Sequence, residues 1–151
     1  MSSIASTTFF PMNSTHARRT IPGSTGSRVI PVRELSGWQI EALRKLADFE
    51  KLHPNWDSYG SPRISDGVID MAVELVRNAN FDNVPAPRII PISGGGIQFE
   101  WGKGAREIEL EIHPDLSIEA LIEDADEQIP NNEFVLANPN IEKLLSWLDA
   151  G

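Results

Sequence analysis

The chain of 151 residues contains no cysteine and a single tyrosine. It also has no apolar run near the ~20 residues that a membrane-spanning helix needs. The missing thiol excludes disulfides, thiolate catalysis and cysteine-based zinc or iron–sulfur centres, and agrees with a reducing cytoplasm, the expected location. Acids are absent from residues 1–33, which carry Arg18, Arg19, Arg28 and Arg33. Bases are scarce where acids gather: residues 100–127 hold ten acids against Lys103 and Arg106. Within a net charge of −9, a basic tail is thus joined to an acidic body. That body is a poor nucleic-acid ligand, because phosphate contacts need clustered Lys and Arg.

Catalytic signatures are equally sparse. His16, His53 and His113 show no spacing suited to a metal or a proton relay. No Gly-x-Ser-x-Gly elbow occurs in residues 33–151. Ser93-Gly94-Gly95-Gly96 lacks the Lys and the following helix of a phosphate loop and reads as a hairpin turn. No catalytic residue, metal site or cofactor is expected.

Residues 1–32 are rich in Ser, Thr, Pro and Gly without a sustained period, and read as a flexible or extended basic arm. Phe9 and Phe10, with Arg18 and Arg19, are its expected partner contacts. Its acid-free composition also resembles an organellar transit peptide, although Pro11, Pro22 and Gly23 interrupt any amphipathic helix. Residues 33–151 read as a single compact acidic domain.

Ser36-Gly37-Trp38-Gln39 has capping-box form ahead of Ile40, Leu43, Leu46 and Ala47, predicting a helix over residues 36–52 ended by His53-Pro54. Ser65 caps a second helix ending near Asn80. Arg88 to Ile92 reads as a strand, and residues 96–112 write a hairpin with contrasting faces. Ile97, Phe99, Trp101, Ile108, Leu110 and Ile112 alternate with Gln98, Glu100, Glu107, Glu109 and Glu111. With a four-residue connection between Trp101 and Arg106, Glu100 falls opposite Glu107, Phe99 opposite Ile108, Gln98 opposite Glu109 and Ile97 opposite Leu110. One opposed carboxylate pair at about 5 Å repels by roughly 0.8 kcal/mol in water and roughly 3 kcal/mol at an effective dielectric near 20. Burial of six apolar partners at roughly 1.5–3 kcal/mol each exceeds that. Residues 116–123 are expected to form a fourth strand, Phe134-Val135-Leu136 a short edge, and Asn138-Pro139 to open a closing helix. The predicted fold is α+β: two N-terminal helices, an antiparallel three- to four-stranded meander, and a C-terminal helix packed on the apolar sheet face.

Asn55-Trp56-Asp57, Gly60 and Pro62, followed by Gly95-Gly96-Ile97-Gln98-Phe99-Glu100-Trp101, resemble a widespread uncharacterised family of bacterial and phage proteins. In that family an Asn-Trp-Asp loop precedes a Gly-Gly, apolar, Glu-Trp hairpin. The resemblance spans residues 43–123 and implies a bacterial, cytoplasmic setting near mobile or defence genes. It implies no activity.

These features predict a non-enzymatic interaction protein of antitoxin, immunity or anti-defence type, docking its acidic face and arm on a basic protein partner. The expected partner-binding residues are Gln98, Glu100, Glu107, Glu109 and Glu111 on the sheet, with Trp56, Asp57 and Tyr59 in the loop. For the loop, a structural role competes: Trp56 filling the helix–sheet seam, Asn55 and Asp57 satisfying turn amides, Gly60 supplying a positive φ. The alternative function is a small divalent-metal-dependent hydrolase using Glu100, Glu107 and Glu109 with Asp57 as base. Glutamates along one strand are about 6.6–7 Å apart per step, too far for three to share one ion. Self-association through an open sheet edge is a further possibility.

Overall fold

The computed structural model describes residues 33–79, 83–126 and 133–151, of which residues 133–135 by their backbone alone. In chain order the elements are α1 (Gly37–Phe49), α2 (Asp66–Asn78), β1 (Arg88–Ile92), β2 (Gly96–Lys103), β3 (Arg106–Ile112), β4 (Ile118–Asp124), β5 (Glu133–Ala137) and α3 (Ile141–Asp149). The strands form one antiparallel meander in the order β1-β2-β3-β4-β5. The sheet therefore has five strands, where alternation predicts three or four. Glu119 to Glu123 pair along Ala137 to Glu133, so the short edge expected at residues 134–136 is a full partner of β4.

Period-two alternation divides the sheet faces. Ile89, Ile97, Phe99, Trp101, Ile108, Leu110, Ile112 and Ala120 are all buried and join one core with residues of the three helices. Phe99 and Trp101, two positions apart on β2, stack with ring centroids 5.7 Å apart. Leu144, Leu145 and Leu148 bring α3 into the same core. Each fully buried large side chain contributes about 1.5–3 kcal/mol, and this face holds the layers together.

Gln39 ties α1 to α2. Its Oε1 accepts from the Ser36 backbone N–H at 2.8 Å, completing the reciprocal half of a capping box. Its Nε2 donates to the Val76 carbonyl at 2.7 Å and the Ala79 carbonyl at 3.1 Å. One buried amide thus satisfies orphan groups at the start of one helix and the end of the next.

The hairpin register differs from the expected one by two residues. Glu100 pairs with Glu109, Phe99 with Leu110, Trp101 with Ile108 and Lys103 with Arg106. The connection is therefore Gly104-Ala105, with Gly104 at φ +62°, as a two-residue turn with glycine first requires. A shift of two preserves parity, so every side chain keeps its face while its cross-strand partner changes.

Candidate functional site: the carboxylate face and the Asn55–Pro62 loop

The face away from the helical core is built of rows read across the strands. One row runs Arg88–Glu100–Glu109–Leu121, the next Ile90–Gln98–Glu111–Glu119, and the third Gly102–Glu107–Glu123. Among the described side chains three carboxylate pairs are directly opposed: Glu100 with Glu109, Glu111 with Glu119, and Glu107 with Glu123. The expected Glu100–Glu107 and Gln98–Glu109 pairs are absent, because Glu107 lies opposite Gly102 and Glu109 opposite Glu100. Like charges opposed across strands destabilise a sheet; the hairpin holds one such pair in either register, and the β3–β4 ladder adds the other two.

Glu107, Glu119 and Glu123 are exposed, whereas Glu100, Glu109 and Glu111 are half-buried. Gln98 is buried and donates to Glu100 Oε1 at 3.1 Å. Arg88 meets Glu100 Oε2 at 3.1 Å. Among the described residues, no lysine or arginine pairs with Glu107, Glu109, Glu111, Glu119 or Glu123. Partial burial, followed by the charges of Glu100, Glu111, Glu107 and Glu123, raises the Glu109 carboxyl above its ordinary value. The imidazole Nε2 of His113 lies 3.8 Å from Glu111 and 3.5 Å from Glu119, buried and without a hydrogen-bond partner. An imidazolium there would bridge the opposed pair electrostatically.

The two bases of the acidic segment turn away from this face. Lys103 Nζ donates to the Asp149 carbonyl and carboxylate at 2.7 and 2.8 Å. Arg106 donates to Asp124 at 2.8 Å and to the Trp147 carbonyl at 2.6 Å, with its guanidinium 4.7 Å from the Trp147 ring centroid. Both cations sit at the negative end of the α3 dipole.

In the loop, Asp57 is a hub. Its carboxylate accepts from the Tyr59 and Ser61 backbone N–H groups at 3.0 and 3.2 Å, and from the Ser61 and Ser93 hydroxyls at 2.5 and 2.7 Å. The two hydroxyls lead in holding its pKa well below the usual carboxylate range. Ser61 Oγ in turn accepts from the Gly94 N–H, fastening the loop to the β1–β2 turn. Gly60 has φ +88°, and its N–H donates to Asn55 Oδ1 at 2.8 Å. Asn55 and Ser58 both stand at φ +65°, a left-handed backbone that asparagine tolerates and that costs a residue such as serine about 1–2 kcal/mol. Trp56 does not fill the helix–sheet seam. It is half-buried outside the core, with its indole N–H donating to the Pro62 carbonyl at 3.2 Å. Tyr59 is 89% exposed.

The structure thus brings Gln98, Glu100, Glu107, Glu109 and Glu111 onto one face and adds Glu119, Glu123 and His113. A strand is the expected form of residues 116–123, so alternation there carries the signal for Glu119 and Glu123. Asp57 is held instead at the β1–β2 turn. Phe9, Phe10, Arg18 and Arg19 lie outside the described residues. Among the described residues no group of three or more His, Asp or Glu is arranged to hold a metal ion, and no helix is long and apolar enough to cross a membrane. Comparison with protein-family models, curated proteins and solved structures gives no match to this chain.

Proposed function

We propose that this protein is a non-enzymatic interaction module that docks its carboxylate face on a basic site of a protein partner, masking that site as an antitoxin, immunity or anti-defence protein would. The observation that carries this reading is the set of three directly opposed glutamate pairs on the face away from the helical core, beside a hairpin whose own cations are engaged by α3. A fold that retains such repulsion gains when an external cation relieves it. The resemblance of residues 55–62 and 95–101 to bacterial and phage proteins near mobile or defence genes supports the setting. A metal-dependent hydrolase is less well supported: Glu107 lies opposite Gly102, and the Asp57 carboxylate is engaged by four hydrogen bonds at another part of the sheet. Its lowered pKa also makes Asp57 a weak base.

The test is a pull-down from the native host with the intact protein and a Glu107→Lys, Glu123→Lys variant. The expected result is a stoichiometric basic partner whose affinity falls with salt and which the variant fails to retain. Capture that ignores both ionic strength and the two substitutions overturns the reading.

A further inference from the structure

On the opposite, helical side, α2, α3 and the beginning of β4 leave a groove of about 250 Å³ lined by Met71, Leu75, Ala79, Ile118 and Ile141, with Glu74 and Glu142 among its walls. We propose that this groove docks a second protein segment, one that presents a bulky apolar side chain flanked by lysine or arginine. This proposal is independent of the carboxylate face.

Size decides what kind of occupant fits. The volume is below the roughly 300–1,000 Å³ of sites that enclose drug-sized molecules, and suits an anchoring side chain such as those that dominate protein interfaces. Charge decides what flanks the anchor. Both ionisable residues in the lining are acids, and Glu74 and Glu142 are exposed. Asn78 and Ala79 mark the C-terminal end of α2, where the negative helix dipole is met by Arg77 of the last turn, outside the lining, so the negative charge of the rim is that of Glu74 and Glu142. The positive end of α3 is already met by Glu142 in its own first turn. A second copy of this chain would bring the same glutamates and its own net charge of −9 against the rim, so charge complementarity selects a basic segment over self-association.

Apolar surface continues beside the groove. Leu116 and Leu136 are exposed, the former in the turn before Ile118 and the latter opposite Ala120 on the helical side of the sheet. They extend the apolar contact available to a segment longer than its anchor.

The experiment titrates the full chain, methyl-labelled at Met, Leu and Ile, with the acetylated, amidated peptide Lys-Lys-Leu-Leu-Lys-Lys and with its Ser-for-Leu counterpart. The leucine peptide is expected to shift the Met71, Ile118 and Ile141 methyl signals saturably, and the serine peptide to leave them in place. Glu74→Lys with Glu142→Lys should weaken binding about tenfold, and Ile141→Ser should weaken it comparably. Glu107→Lys with Glu123→Lys, on the other face, should leave it unchanged. Shifts confined to residues of the carboxylate face, or equal responses to both peptides, overturn the proposal. So does a dimer on a sizing column that Ile141→Asp dissolves, since the occupant is then a second copy. Contacts from the free protein's own remaining segments to the Met71 and Ile141 methyls overturn it as well.

Discussion

Lys103 and Arg106 face each other across the β2–β3 ladder, and both reach back to the last turn of α3. The hairpin tip is therefore a clamp on a helix C-terminus, where cations interact favourably with unpaired carbonyls.

Arg106→Ala should destabilise the protein by about 3 kcal/mol, the usual cost of removing one partner from a buried ion pair. It exposes the largely buried Asp124 to the loss of its Arg106 pair, and takes away the Trp147 carbonyl contact together with the ring contact. Lys103→Ala, half-exposed, should cost about 1 kcal/mol or less. Urea unfolding of the two variants should show this ordering.

Glu109→Gln should stabilise the fold at neutral pH by about 0.5 kcal/mol, the scale of a relieved cross-strand repulsion, while weakening capture of the basic partner. The sign follows from the raised pKa of Glu109. The folded state holds this proton more tightly than the unfolded chain, so its ionisation subtracts stability as pH rises from the ordinary glutamate range through the folded value. Thermal melts at two pH values on either side of that range, with and without the substitution, check it: the stabilisation should fade at the acidic end.

Asp57→Asn should lower the melting temperature by about 5 °C, because an amide cannot reproduce an acceptor set that takes two hydroxyls and two backbone amides. The native carboxyl pKa is depressed, so its stabilising contribution is present above the ordinary aspartate value and disappears as pH falls through the folded value. The variant should accordingly show a flatter acid-unfolding profile. A loop held for display predicts a further separation: Tyr59→Ala should leave the melting temperature nearly unchanged, since that side chain is exposed.

Gln39→Leu should cost about 2 kcal/mol by leaving the Ser36 N–H and the Val76 and Ala79 carbonyls without this partner in a buried setting. Gln39→Glu should be worse, because it sets a carboxylate against two carbonyl oxygens. Denaturant midpoints of both variants test the ordering.

Alternation in residues 97–112 makes the two faces of the sheet legible from the order of amino acids, since parity survives an error in register. The register itself is not legible there. Gly102-Lys103 can belong to the loop or to the strand, and the choice rests on Lys103 and Arg106 pairing beneath α3, more than 40 residues further along the chain. Local pattern therefore matches Glu100 with Glu107, where the fold sets it opposite Glu109. In the Asn55–Pro62 loop, turn chemistry points to internal roles for Asn55, Asp57 and Gly60. The Ser93 hydroxyl and the Gly94 N–H that complete this network lie 36 and 37 residues beyond Asp57, and no local pattern announces them.

By itself, the amino-acid order determined which residues alternate and how sharply charge is segregated, because both depend only on neighbours along the backbone. Tertiary structure alone decided which glutamates oppose one another, where the two lone cations of the acidic segment are held, and how the Asp57 loop is tied down. Each of those outcomes depends on groups from separate elements arriving at hydrogen-bond distance, which only the folded packing of helices against the sheet can arrange.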